Sequence, residues 1–222
     1  MRGPVAFEAL WSDHNIFSDD DWHDFARNYE GGGPDRRVML CMSRVPVFLR
    51  RGKAWISGKT DPTLVHDITA TYQTAQLASI QLADLSDQLQ GRFTRGEVDS
   101  KVFFRINFAL ERLYPLALSV VVVMGCLLTG VNPLYPGLQE EMRRCAVENY
   151  AIAQRLNQFR PLGSSAVPLC LSICWAGTDD MEVKQQIERV MTEYMKDYPA
   201  AGSAQSLLDS LRPLENKLKL RC

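Results

Sequence analysis

Apolar residues recur along most of this chain at intervals of three and four, the period of a helix with one buried face. The first stripe is Trp22, Phe25, Ala26 and Tyr29. Ser18 precedes it as an N-cap, with Asp19, Asp20 and Asp21 at the positive end of the helix. Gly31-Gly32-Gly33-Pro34 stops it. A second helix is predicted over Asp35–Arg51, with Val38, Met39, Met42, Val45 and Leu49 on one side. Pro46 is expected to kink or divide it by removing a backbone hydrogen bond. Gly52–Thr60 reads as a loop containing Trp55.

Asp61-Pro62 is the clearest start signal, a capping residue before a proline at the first helical position. From there a long helix runs to Leu89, with Val65, Ile68, Tyr72, Ala75, Leu82, Leu85 and Leu89 along one face. Gly91 and Gly96 bracket the next turn. Glu97–Leu113 carries Val102, Phe103, Ile106, Leu110 and Leu113 at helical spacing, with Phe104 and Phe108 on an adjacent stripe. A helix apolar over so much of its circumference is expected to be central. Pro115 is read as a break before a second apolar helix, Leu116–Leu128. Ser119–Met124 is rich in β-branched residues, but no other segment offers it a partner strand, so helix is preferred.

After a turn at Gly130–Pro136, a regular helix is predicted over Gly137–Gln158, acidic at its start and basic at its end. Arg160-Pro161-Leu162-Gly163 breaks it. A short buried helix follows to Trp175, then a helix capped by Thr178-Asp179-Asp180 with Met181, Ile187, Val190, Met191, Tyr194 and Met195 on a narrow face. A weak helix at Ser203–Leu211 precedes a polar tail, 213–222. The fold class expected is all-α: a single domain, 1–222, of about eight or nine helices around a central apolar helix pair, with 1–34 as a lead-in.

Composition narrows the chemistry. Apolar residues make up 46% and charged residues 23%, an ordinary globular profile. With 25 basic and 26 acidic residues the formal charge is −1, leaving no basic excess for a nucleic-acid face. The first ten residues contain Arg2, Pro4 and Glu8 and no sustained apolar stretch, so no secretory signal is expected. Leu113–Leu128, interrupted by Pro115 and Ser119, falls short of the ~20 residues a membrane span needs. The chain is therefore expected in the cytoplasm, without membrane or nucleic-acid partners.

The six cysteines, Cys41, Cys126, Cys145, Cys170, Cys174 and Cys222, form no Cys-x-x-Cys pair. The three histidines, His14, His23 and His66, form no His-x-x-x-His pattern. No metal site and no cofactor are expected, and the thiols are expected to be reduced and buried. Asp19–Asp21 suits a helix start better than a cation site.

One order of motifs carries a resemblance. Glu111-Arg112-Leu113-Tyr114-Pro115-Leu116 enters an apolar helix ending Met124-Gly125-Cys126. A charged helix, Arg160-Pro161-Leu162-Gly163-Ser164, Pro168-Leu169-Cys170-Leu171, Cys174-Trp175-Ala176 and Thr178-Asp179-Asp180 follow. This order resembles the C-terminal regulatory region of fungal zinc-cluster (six-cysteine) transcription factors. Val38–Arg51 resembles an earlier segment of the same region. The resemblance implies a domain that senses small molecules and makes intramolecular or partner contacts. The Cys-x-x-Cys-rich zinc cluster of that family is absent from these 222 residues, so a complete chain of this kind is not expected to read DNA in the family's way.

No nucleotide loop, dinucleotide fingerprint or Gly-x-Ser-x-Gly elbow occurs. A chain without such chemistry can still accelerate a unimolecular cyclisation by holding a reactive conformer and donating one or two hydrogen bonds. Two functions are therefore carried forward. The first is a stand-alone small-molecule-binding domain acting as a cofactor-free cyclase or isomerase of fungal secondary metabolism, extending to a pericyclic 4+2 cyclisation of the Diels–Alderase type. The second is a truncated zinc-cluster-type regulator, nuclear in that case, that binds an effector or a partner. The partners expected are an apolar metabolite, a second copy of the chain or a regulator. The cyclase reading needs an apolar cavity between Asp61–Leu89, Glu97–Leu113 and Leu116–Leu128. Arg105 and Tyr72 are its candidate catalytic donors, and Tyr72, His66, Phe104, Asn107, Phe108, Tyr114 and Trp175 its candidate ligand contacts.

Overall fold

The computed structural model describes residues 32–160 and 166–197, with 209, 211–213, 215 and 216. Among them the chain forms six α-helices, one short 3-10 helix and no strand. The expected lead-in helix lies outside the described residues. The expected last helix lies largely outside them, although Leu211 is helical and fully buried. The start of the expected polar tail is also helical at Pro213, Glu215 and Asn216, and Glu215 accepts from the Lys184 ammonium at 3.0 Å.

Helix α1 (Pro34–Ile56) begins with proline at its first position and Asp35 in its first turn. Pro46 does not divide it. That proline is buried with Val45 and Phe48, and their packing offsets the missing bond. The helix also takes in Trp55, placed in a loop from the sequence, and ends at Gly58, whose φ of 85° lets Lys59 N–H bond back to the Ala54 carbonyl.

Helix α2 (Leu64–Thr94) follows the Asp61-Pro62 turn and runs through Gly91 to Gly96, whose φ of 72° allows the same kind of C-cap. Arg51 ties its start to α1, with Nε 2.7 Å from Asp61 Oδ2 and Nη1 2.9 Å from Asp67 Oδ2. The pairs Arg37–Gln81, Arg44–Thr71 and Arg51–Asp67 run in opposite order on the two helices, so α1 and α2 are antiparallel.

Helix α3 (Ser100–Val131) is capped by Asp99, whose side chain accepts from Lys101 N–H. It continues unbroken through Pro115, joining the two helices expected on either side. A proline inside a helix costs ~3 kcal/mol. Burying one Leu or Val side chain contributes roughly 1.5–3 kcal/mol, and α3 buries Ala117, Leu118, Val121 and Val122 completely. Burial therefore wins over local propensity. Ser119 Oγ donates to the Pro115 carbonyl at 2.7 Å, one turn back along the same helix. By length and composition α3 could cross a membrane, but 78% of that window is buried inside the fold.

Helix α4 (Leu138–Leu156), the 3-10 turn Asn157–Phe159, α5 (Val167–Gly177) and α6 (Met181–Met195) follow. Asp180 caps α6 by accepting from Glu182 and Val183 N–H.

The antiparallel hairpin α2–α3, each arm about 46 Å long at 1.5 Å per residue, forms the spine. Its direction follows from Phe93 stacking on Phe103 at one end and Ala78 and Leu82 meeting Ala117 further along. Helix α1 packs on one side of the hairpin and α4 on the other, while α5 packs against α3 and α4. The core centres on the second half of α3, Ala117–Leu128, and on α5, not on Glu97–Leu113. Two glycines let the helices approach closely. A Cβ on Gly125 would stand 2.9 Å from Met142 of α4, and one on Gly177 would stand 2.1 Å from Val122 Cγ1 of α3.

Candidate functional site

The residues expected around a shared apolar cavity do not come together. Tyr72 is 2% exposed; its ring stands edge-on to Tyr135 and its hydroxyl accepts from Gln76 Nε2 at 3.1 Å. Burial pushes its phenol upward, with Glu141 adding to the effect. Tyr114 is half-buried and donates to Glu148 Oε1, its phenol raised by burial and then by that bond. Trp175 is buried, donates Nε1–H to Glu188 at 2.8 Å and lies 4.2 Å beneath the Lys184 ammonium. His66 and Arg105 are exposed, and Phe104 is 60% exposed. Asn107 and Phe108 are half-buried, Phe108 edge-on to Phe159.

The first half of α3 therefore projects as surface, which corrects both the Arg105 expectation and the cavity. The physical reason is the length of the neighbours. Helix α1 begins opposite Gln81 and α4 ends at Leu156, so neither covers the hairpin's far end.

A cleft of about 190 Å³ does open beside Tyr114, lined by Asp87, Glu111, Glu148 and Arg155. Two of its three carboxylates are already paired: Arg155 Nε lies 3.5 Å from Glu111 and Arg144 Nη1 lies 2.9 Å from Glu148. Ligand pockets typically enclose about 300–1,000 Å³ behind apolar walls, and this cleft is smaller and carries carboxylates. Among the described residues no group of three or more His, Cys, Asp or Glu could hold a metal ion. The five described cysteines are buried, and desolvation pushes Cys41, Cys145 and Cys170 up to about 12. Thiols so shifted are poor nucleophiles.

The open end of the hairpin carries the unused chemistry. Leu85, Val102 and Ile106 are 42%, 40% and 38% exposed. On α2, Leu85 lies one turn past Gln81, which receives the Arg37 bond. On α3, Ile106 and Val102 lie one and two turns before Leu110, which packs on the Val38 cluster. These three side chains thus continue the track that α1 follows over the hairpin, beyond the point where α1 begins. A groove of about 340 Å³ opens beside Leu85, between the start of α1 and α2, bordered by Gly33, Pro34, Arg37, Gln81, Asp84, Leu85 and Gln88. The adjoining tip carries Arg92, Arg95, Lys101 and Arg105, all exposed, against Glu97 and Asp99. From the sequence Leu85 belonged with Leu82 and Leu89, which are buried at 1% and 7%. The available signal was the excess apolar circumference of Glu97–Leu113, which marks a surface as readily as a core.

Searches against protein-family models, curated proteins and solved structures return no match to this chain.

Proposed function

We propose that the chain acts by binding a macromolecular partner, as a regulatory-type helical module of the zinc-cluster factor kind, and that its open α2–α3 end receives an amphipathic helix with an acidic start. The supporting observation is the exposed strip Leu85, Val102 and Ile106 beside the cations Arg92, Arg95, Lys101 and Arg105. An apolar strip in the track of a packed helix takes a further helix by ridges into grooves. The flanking cations select a partner with carboxylates at one end. The cyclase reading asks for an apolar cavity with Arg105 and Tyr72 as donors. Tyr72 packed in the core, Arg105 on the surface and helices in contact at Gly125 and Gly177 support the binding reading instead.

Zero-length carbodiimide coupling of Lys101 to partner carboxylates, in lysate of cells producing the full chain, tests this. The expected product joins Lys101 to an acidic amphipathic segment of a zinc-cluster factor, and Val102→Asp with Ile106→Asp abolishes it while the thermal midpoint is retained. A purified chain that retains and converts a small metabolite would overturn the proposal, as would cross-linking indifferent to the double variant.

A further inference from the structure

We propose that the face of α5 and α6 around Trp175 and Lys184 is a second docking surface, for a partner helix carrying leucine and glutamate one turn apart. The chain's own Leu211 and Glu215 close it as an exchangeable strap. This surface lies on other helices than the α2–α3 end, and its test is independent of that reading.

A buried lysine is the first observation. Lys184 is 7% exposed, although lysine is almost never buried unless paired. Its ammonium stands 4.2 Å from the centre of the Trp175 ring and 3.0 Å from Glu215 Oε1. Glu188, one turn further along α6, accepts from the Trp175 indole N–H at 2.8 Å. Among the described residues Glu215 is the one carboxylate that forms an ion pair with Lys184. A buried ammonium left without an anion is strongly unfavourable, so whatever covers this face has to bring a carboxylate.

The spacing of the occupant follows. Leu211 is fully buried in the same apolar core as Trp175, Val183 and Ile187. Residues four apart share one side of a helix, so Leu211 enters the core while Glu215 reaches the ammonium. A leucine and a glutamate at that spacing are what the face recognises.

The strap's weak hold is the second observation. Its helical stretch is described at residues 209, 211–213, 215 and 216, and Leu211 is the one buried residue among these. Helix α6, against which it lies, buries six. Pro213 has no N–H to bond the Asp209 carbonyl, which weakens the stretch from within. The internal prolines of α1 and α3 are buried and packed, whereas Pro213 is exposed. A segment with few buried contacts opens at a free energy below that of global unfolding. Opening leaves Lys184 unpaired beside Trp175. A helix of the same pattern without an internal proline then holds the face better than the strap does. A second copy of the chain brings only the same weak strap, against a tethered rival at an effective concentration on the order of millimolar.

The probe is a fluorescein-labelled peptide of residues 206–220 carrying Pro213→Ala, titrated by anisotropy against the full chain. It should bind the opened variant Leu211→Ser/Glu215→Lys at least tenfold more tightly than the wild type. A peptide that also carries Glu215→Lys should bind the opened variant at least tenfold more weakly, and adding Lys184→Met to that variant should erase the difference. Hydrogen exchange in α3 reports the intact fold; Glu215→Lys alone, which alters only the charge, replaces the double variant if that one does not fold. In the wild type, amides of 209–216 should exchange at least tenfold faster than the slowest amides of α3. Exchange of both at one rate would make the stretch a fixed part of the core and overturn the proposal. Equal binding to wild type and opened variant, or indifference to the peptide's glutamate, would overturn it as well. So would a wild-type dimer that Glu215→Lys dissociates, which would assign the face to a second copy.

Discussion

Replacing Gly177 with alanine adds one methyl group where α5 meets α3. The new Cβ would stand 2.1 Å from Val122 Cγ1 and 3.2 Å from Cys126 Sγ. Carbon atoms in contact settle at about 3.5–4.0 Å, so the helices must part by roughly 1.4 Å or Val122 must leave its rotamer. Val122 is fully buried and Cys126 2% exposed, so neither has free space to enter. Overpacking of this kind costs about 1–3 kcal/mol. The opposing gain, alanine over glycine in a helix, is at most about 1 kcal/mol, and less at the last residue of α5. The clash wins, and Gly177→Ala should lower stability by about 2 kcal/mol, near the middle of the overpacking range.

Urea unfolding followed by far-ultraviolet circular dichroism measures the effect as a lower midpoint at unchanged slope. Gly91→Ala is the control: its Cβ would meet only Arg95 Nη1, at 3.4 Å, so it should be neutral or mildly stabilising. Val122→Ala removes the clashing methyl. The double variant Gly177→Ala/Val122→Ala should be more stable than the sum of the single losses, by more than about 0.5 kcal/mol. A midpoint for Gly177→Ala at or above wild type, or strict additivity with Val122→Ala, would refute the close crossing of α3 and α5.

Two further outcomes follow from the charges and the thiols. Arg51, Arg143 and Arg160 hold Asp61, Asp180 and Asp197 below the usual carboxylate range, and Arg144 does the same for Glu141. A carboxylate depressed in the folded state contributes stability above its unfolded pKa, about 4, and loses it as pH falls through the folded value. The thermal midpoint should therefore drop steadily below about pH 4; a midpoint that holds or rises from pH 5 to pH 3 would contradict these pairings. With five of the six cysteines buried, a thiol-reactive disulfide at pH 8 should modify at most one thiol rapidly in the native chain, and six in denaturant. Two or more fast-reacting native thiols would contradict the packing around Cys145, Cys170 and Cys174.

By itself the sequence determined the helical class and most of the punctuation. Gly96, Asp180, the Asp61-Pro62 turn and the acid-to-base order of α4 act within one helical turn, so their effect is legible locally. Tertiary structure alone decided what depends on distant neighbours. Pro115 and Pro46 stay inside helices because residues remote in sequence bury the chain around them, and the free energy of that burial exceeds a local propensity of ~3 kcal/mol. Leu85 and Leu89 sit on one stripe, yet Leu85 is 42% exposed and Leu89 7%. Periodicity names a face but not what covers it. The same rule placed Arg105 and Phe104 outside and Tyr72 inside: the lengths of α1 and α4 set where the hairpin is covered, and no residue within either arm encodes that.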